Sequence, residues 1–152
     1  MWKSKFLASA FLFFAAWGLA IAQDSDADKL IGVWKNGEGT ALIDIKKAKS
    51  GKYFGRIVWL KEPNDESGNP KVDKNNPDES KRDKKLIGLA NLVGFEYVGK
   101  GKWEKGTIYD PKNGQTYNCT IEIEGDNILN VRGYIGVSMF GRTDKWTRQK
   151  KS

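Results

Sequence analysis

The stretch GTIYDPKNGQTYNCTIEIEGDNILNVRGY, residues 106–134, decides the fold. Asp110 to Gly114 (DPKNG) brings together proline, asparagine and glycine, which adopt turn dihedrals at little steric cost. The run that follows alternates. In QTYNCTIEIE, Tyr117, Cys119, Ile121 and Ile123 face one way, while Thr116, Asn118, Thr120 and Glu122 face the other. EGDN turns the chain again, into ILNVRGYIGV. Two consecutive hairpins with one apolar face predict antiparallel sheet, and Cys119 reads as a small core residue on that face.

The pattern extends in both directions. LIGVWKN, TALIDIKKA and KYFGRIVWLKE precede the opening stretch as strands, separated at Gly37–Gly39 and at KSGK, residues 49–52. Tyr53, Gly55, Ile57 and Trp59 share one face of the third, where Gly55 suggests a bend or bulge. LVGFEYVG and GKWEKGTIYD pair across Gly99 to Gly101, and SMFGRTDKWTRQ completes the chain. Eight strands, tight turns and no internal repeat predict an all-β protein: a single eight-stranded antiparallel up-and-down β-barrel, which leaves no sheet edge exposed.

One long interruption lies between the third and fourth strands. Residues 62–81 hold three of the four prolines. Asp73, Asn75 and Asp78 are hard oxygen donors, but the glycine and terminal glutamate of an EF-hand are missing, so the segment reads as a solvated loop. RDKKLIGLAN, Arg82 to Asn91, predicts one short helix before the fourth strand, with Leu86, Ile87 and Leu89 covering a barrel mouth.

The first residues read as a secretory signal. MWKSK is basic, FLASAFLFFAAWGLAIA is apolar, and Ala20 and Ala22 suit a signal peptidase cutting before Gln23. Gln23 is not a cysteine, so it offers no thiol for lipid attachment. The expected organisation is a signal over 1–22 and one barrel domain over 23–152, with no membrane span in the mature chain and a periplasmic or secreted destination.

Composition excludes more than it suggests. The chain has no histidine and one cysteine, which removes Ser-His-Asp and Cys-His nucleophiles, histidine-ligated zinc and internal disulfides. No catalytic constellation, cofactor or metal is implied. The signal carries two lysines, so the net charge of +7 falls to +5 without it. That surplus is interleaved with acids; it favours anionic partners weakly and does not point to nucleic acid.

Arg132 and Tyr134 are the leading ligand candidates, because an arginine and a phenol on one strand face can hold a carboxylate. Arg56, Tyr53 and Trp59 add a second cation and large rings on the third strand. Against the first pair, Val131, Ile135 and Val137 form the better core face of their strand, which leaves Arg132 and Tyr134 outside. Asp44, Arg56, Asp110, Arg142 and Asp144 form a second set, either an outer salt-bridge ladder or a polar cavity floor.

Gly32-Val33-Trp34 with Arg148 is similar to the closure of lipocalin-like barrels, in which a tryptophan plugs one end and a last-strand arginine stacks over it. Gly32, Trp34, Trp146 and Arg148 are the expected closure residues. EPN at 62–64, NPD at 76–78, LIGLANLVGF at 86–95, GTIYDPKNGQTY at 106–117 and VRGYIGVSMFGRTDKWTR at 131–148 resemble the bacterial exported family DUF2147. The family commonly carries Arg-Pro before its Leu-x-Gly-Leu segment, where this chain has Lys84-Lys85. The resemblance implies a lipocalin-like barrel in a bacterial envelope and brings no catalytic residues. The expected role is a non-enzymatic binding module for a small amphiphilic or anionic ligand; the alternative is an envelope protein–protein interaction module with a solid barrel and the 62–85 loop as its contact surface.

Overall fold

The computed structural model describes residues 25–150, and the expected signal over 1–22 lies outside the described residues. Eight antiparallel strands follow in chain order: β1 (Gly32–Lys35), β2 (Ala41–Lys47), β3 (Tyr53–Leu60), β4 (Ala90–Gly99), β5 (Lys102–Asp110), β6 (Gln115–Glu124), β7 (Ile128–Tyr134) and β8 (Arg142–Arg148). Each pairs with the next and β8 returns to β1, closing the barrel. β6 has the bounds that its alternation predicts, because its apolar residues all meet the interior: Cys119 and Ile121 are buried and Ile123 packs against the core.

One end is sealed by the seam between β8 and β1, which holds only two registered pairs, Trp34 with Arg148 and Lys35 with Thr147. The Arg148 guanidinium lies 4.1 Å from the centre of the Trp34 ring. It donates to three backbone carbonyls, those of Asp126 (2.8 Å), Ile31 (2.9 Å) and Lys29 (2.5 Å). Beneath it the Trp34 indole N–H donates to Leu30 O at 2.9 Å. Gly32 lies at φ +143°, and a Cβ there would stand 2.7 Å from the Arg148 guanidinium, so only glycine lets the arginine sit down.

The half of the barrel above this plug is filled. Trp34, Trp103, Tyr53, Phe95, Leu92 and Ile121 are almost wholly inaccessible to water. Tyr53 and Trp103 meet edge to face at 6.4 Å. Gly106 makes room for the Phe95 ring, whose carbons would lie 2.5 Å from any Cβ placed there. Cys119 belongs to this core, and burial pushes its thiol up to about 12, so it stays protonated and inert.

The structure redraws three of the expected elements. A register shift between Leu42 and Ile43 inserts an extra residue on β3: Ile43 pairs with Ile57, but Leu42 pairs with Trp59 and Ala41 with Leu60. Trp59 is thereby turned to the outer wall, 42% exposed, and Leu60 takes its place against the core. The helical element before β4 is a 3-10 turn at Glu79–Lys81, capped by the Asp78 carboxylate accepting from Ser80 N–H. Arg82 to Leu89 do not continue it, because their backbone is spent on the loop: Leu86 N–H donates to Lys71 O, and Lys84 O accepts from Asp73 N–H. Finally, β7 ends at Tyr134, so Ile135 and Val137 leave the barrel wall and lie exposed rather than in the core.

Replacing Arg148 by alanine removes the stacking and three charge-assisted hydrogen bonds at the narrowest seam, and is expected to lower unfolding stability by about 3 kcal/mol. Lysine at this position restores the charge but not the fork, and is expected to recover less than half. Urea unfolding of both variants checks this; an alanine variant as stable as the parent contradicts it.

Candidate functional site: the open mouth of the barrel

Register decides which side chains look into the open end. On β8, Trp146 pairs with Leu129 and Asp144 with Val131, so both face the core. Arg142 pairs with Gly133 on the same face. Ile108 pairs with Tyr117, and Leu60 with Ala41. These inward-facing residues differ from those of the sealed half in one respect: Leu60, Ile108 and Tyr117 are only partly buried and Arg142 is exposed, so solvent enters the mouth. Toward this end the interior passes from buried aromatic rings to partly buried apolar side chains under a charged rim, the cup of the barrel.

The rim charges have different commitments. The Asp144 carboxylate accepts from the Trp146 indole N–H at 2.7 Å and from Gly37 N–H at 3.1 Å, tying the β1–β2 turn to the wall. Lys112, on the β5–β6 turn, donates to Glu38 on the β1–β2 turn at 2.9 Å. Those two turns lie half a circuit apart in the strand order, so the ion pair straps the mouth. The hydrogen bond to Lys112, then its charge, lowers the Glu38 pKa; the same bond raises that of Lys112, with the charges of Glu38, Asp110 and Asp144 adding to it. Asp110 itself caps the turn by accepting from Lys112 N–H at 2.9 Å. Arg142 is the exception: among the described residues its side chain makes no hydrogen bond or ion pair, while its backbone lies in the ladder opposite Gly133.

The sequence candidates do not converge on this cup. Arg132 pairs with Thr120 and Tyr134 with Asn118, both on the outer wall. The Arg132 guanidinium is spent on the β7–β8 loop, donating to Ser138 O (2.7 Å), Met139 O (3.2 Å) and Thr143 Oγ1 (2.8 Å). It borders an outer groove of about 220 Å³ with Thr120, Glu122, Asn130, Ser138 and Thr143, whose floor is strand backbone. Arg56 is also outside, across from Asp44, and donates to Gly88 O at 2.8 Å. Tyr53 is inside but at the sealed end, its hydroxyl donating to Asp28 at 2.7 Å. The second candidate set splits: Asp44 and Arg56 lie on the outer wall, while Asp110, Arg142 and Asp144 lie at the mouth. Counting back in twos from the buried Trp146 was the available signal for Arg142 and Asp144.

The long loop is bolted to the barrel beside the mouth. Asp73, 1% exposed, accepts from the Tyr109 hydroxyl at 2.6 Å and from Asn76 Nδ2 at 2.7 Å. Asn75 donates to the carbonyls of Pro111 and Lys112, both at 3.0 Å, which positions the turn bearing Lys112. Asp73 and Asn75 thus tie the loop to β5 and its turn, and Asp78 caps the loop's own 3-10 turn. Among the described residues there is no cluster of three or more acidic or cysteine side chains of the kind that holds a metal ion.

The model of the family described as an uncharacterized protein conserved in bacteria, DUF2147, matches residues 32–148, from the first strand to the last. The chain belongs to the DUF2147 family. A solved structure, protein HP1028 from the human pathogen Helicobacter pylori, described as belonging to the lipocalin family, is similar with a TM-score of 0.71 at 21% identity. The likeness covers 80% of this chain and 83% of that one, and gives this DUF2147 member a lipocalin-like barrel fold. Among proteins with curated descriptions, none matches.

Burial and the hydrogen bond to Asp73 together raise the Tyr109 pKa to about 12. The neutral phenol is the form the fold favours, so its contribution is complete below the ordinary value near 10 and is lost as pH rises towards 12. Ultraviolet titration is expected to show a tyrosine ionising at about 12, and Tyr109→Phe to abolish that step. The same variant is expected to speed amide exchange across residues 71–85. Unchanged exchange there contradicts the anchoring role.

Proposed function

We propose that this protein is an exported, non-enzymatic binding module that takes a small anionic amphiphile at the barrel mouth. Export is supported by the basic start, apolar run and A-x-A pattern of residues 1–22. One observation carries the ligand reading: an unpartnered guanidinium, Arg142, stands on the inward face of the rim directly above apolar wall. A cation whose five donors are unused is suited to a carboxylate, sulfonate or phosphate, and Ile108 and Tyr117, which pack beside its register partner Gly133, are suited to an apolar body. The filled base limits depth, so the ligand sits high in the cup and keeps part of its surface in water. Lys112 is the second cation in reach of the mouth, and an incoming anion competes with Glu38 for it.

A second reading has its own observation. The sealed half of the barrel is solid and the 62–85 loop is held rigidly by Asp73, Asn75 and Tyr109, as a protein-contact surface needs to be. Cross-linking in cells that captures a partner only with this loop intact would favour it.

The ligand reading is tested with an anionic apolar probe, 8-anilinonaphthalene-1-sulfonate, titrated against the folded protein. Arg142→Gln is expected to weaken binding about tenfold, the loss of one charge-assisted contact, while Arg132→Gln, on the outer wall, leaves it within about twofold. Equal binding by the parent and Arg142→Gln contradicts the proposal.

A further inference from the structure

The loop between β7 and β8 is unlike any other turn in the barrel. Over six residues it exposes four large apolar side chains: Ile135 (69%), Val137 (56%), Met139 (74%) and Phe140 (79%). Such a cluster at a loop tip is a marked departure from a water-facing surface. The loop is not loose. A 3-10 turn at Ser138–Phe140 shapes it, and the Arg132 guanidinium grips it from below through Ser138 O, Met139 O and Thr143 Oγ1. The Ser138 and Met139 carbonyls are held by Arg132 and the apolar side chains are left exposed.

The segment that forms the tip carries charge of one sign, while Glu104 and Glu122 stand on the neighbouring wall, in the groove that Ser138 borders. Residues 131–143, VRGYIGVSMFGRT, contain two arginines and no acid. Arg132 and Arg142 stand on the two strands at the base of the tip, behind the apolar residues. Four side chains on a projecting loop fall short of the roughly 800 Å² per partner that a stable protein interface buries. A lipid bilayer has no such requirement: it accepts an apolar wedge about 5–10 Å deep and places cations at the level of its phosphates.

We infer that the β7–β8 loop is a membrane-docking tip, in which Ile135, Val137, Met139 and Phe140 enter the surface of a bilayer containing anionic phospholipid and Arg142, with the charge of the loop-bound Arg132 behind it, meets the headgroups. The tip adjoins the open mouth, so docking brings the cup to the bilayer surface, where an anionic amphiphile is concentrated. The inference rests on the exposed loop; it shares Arg142 with the ligand reading, and vesicle binding measured beside probe binding distinguishes the two.

The test uses the chain from Gln23 onward, which contains every strand of the barrel. It is sedimented with large vesicles of phosphatidylethanolamine and phosphatidylglycerol, and with vesicles of phosphatidylcholine alone. The parent is expected to bind the anionic vesicles, more weakly at 0.5 M salt by about tenfold and more weakly still on the neutral ones. Met139→Ser with Phe140→Ser lies outside the core, and is expected to keep the parent's melting temperature and 8-anilinonaphthalene-1-sulfonate binding while losing at least tenfold in vesicle binding. Val58→Ser, an exposed apolar residue on the wall of β3, is the control and is expected to bind as the parent does. Absent vesicle binding by the parent, or binding unaffected by the double substitution, overturns the inference. Self-association that disappears with the double substitution, without vesicle binding, assigns the tip to a second copy and overturns it too.

Discussion

Everything in this barrel depends on how β8 is joined to β1. The other seven interfaces have between three and seven registered pairs, whereas this one has two. Arg148 makes up the difference. Its guanidinium covers the Trp34 ring and collects carbonyls from residues 29, 31 and 126, so one side chain joins the N-terminal turn, the first strand and the β6–β7 turn. Without that joint the sheet would have two free edges, and the aromatic base formed by Trp34, Trp103, Tyr53 and Phe95 would lose its floor.

The shortness of the seam also shapes the other end. β1 stops at Lys35, leaving Arg142 to Trp146 of β8 without a strand partner on that side. The β1–β2 turn fills the gap through Gly37 and Asp144, and carries Glu38 out to meet Lys112. The polar rim therefore follows from a short first strand. Filling the base with large rings and leaving the rim to charges places the polar side chains at the mouth, where water can still reach them.

Much of this architecture was legible in the sequence because its strongest signal, alternation, is local. β6 needed nothing more than its own ten residues. The G-x-W with the last arginine was legible only through the resemblance to lipocalin-like barrels, since no local pattern links residues so far apart in the chain. What escaped were features set by neighbours. Trp59 follows Ile57 by two, yet a bulge against β2 turns it outward and brings in Leu60. Ile135 and Val137 keep the parity of Val131, but β7 has already ended. The Arg132 and Tyr134 pair was read from spacing, and spacing cannot tell that Arg132 is occupied by carbonyls six and seven residues further on. Arg142 was visible in the sequence only as one of five scattered charges until the register of β8 placed it over the cup.

The central claim, that recognition occurs at the mouth above a solid base, is tested most directly by amide and side-chain chemical-shift mapping with a C10 alkyl sulfate added below its micellar concentration. The account predicts shifts centred on Gly133, Ile108, Tyr117 and Arg142, with Trp34, Tyr53 and Trp103 unmoved. Shifts confined to the outer groove around Thr120, Asn130 and Arg132, or deep shifts at Trp103 and Phe95, would contradict it.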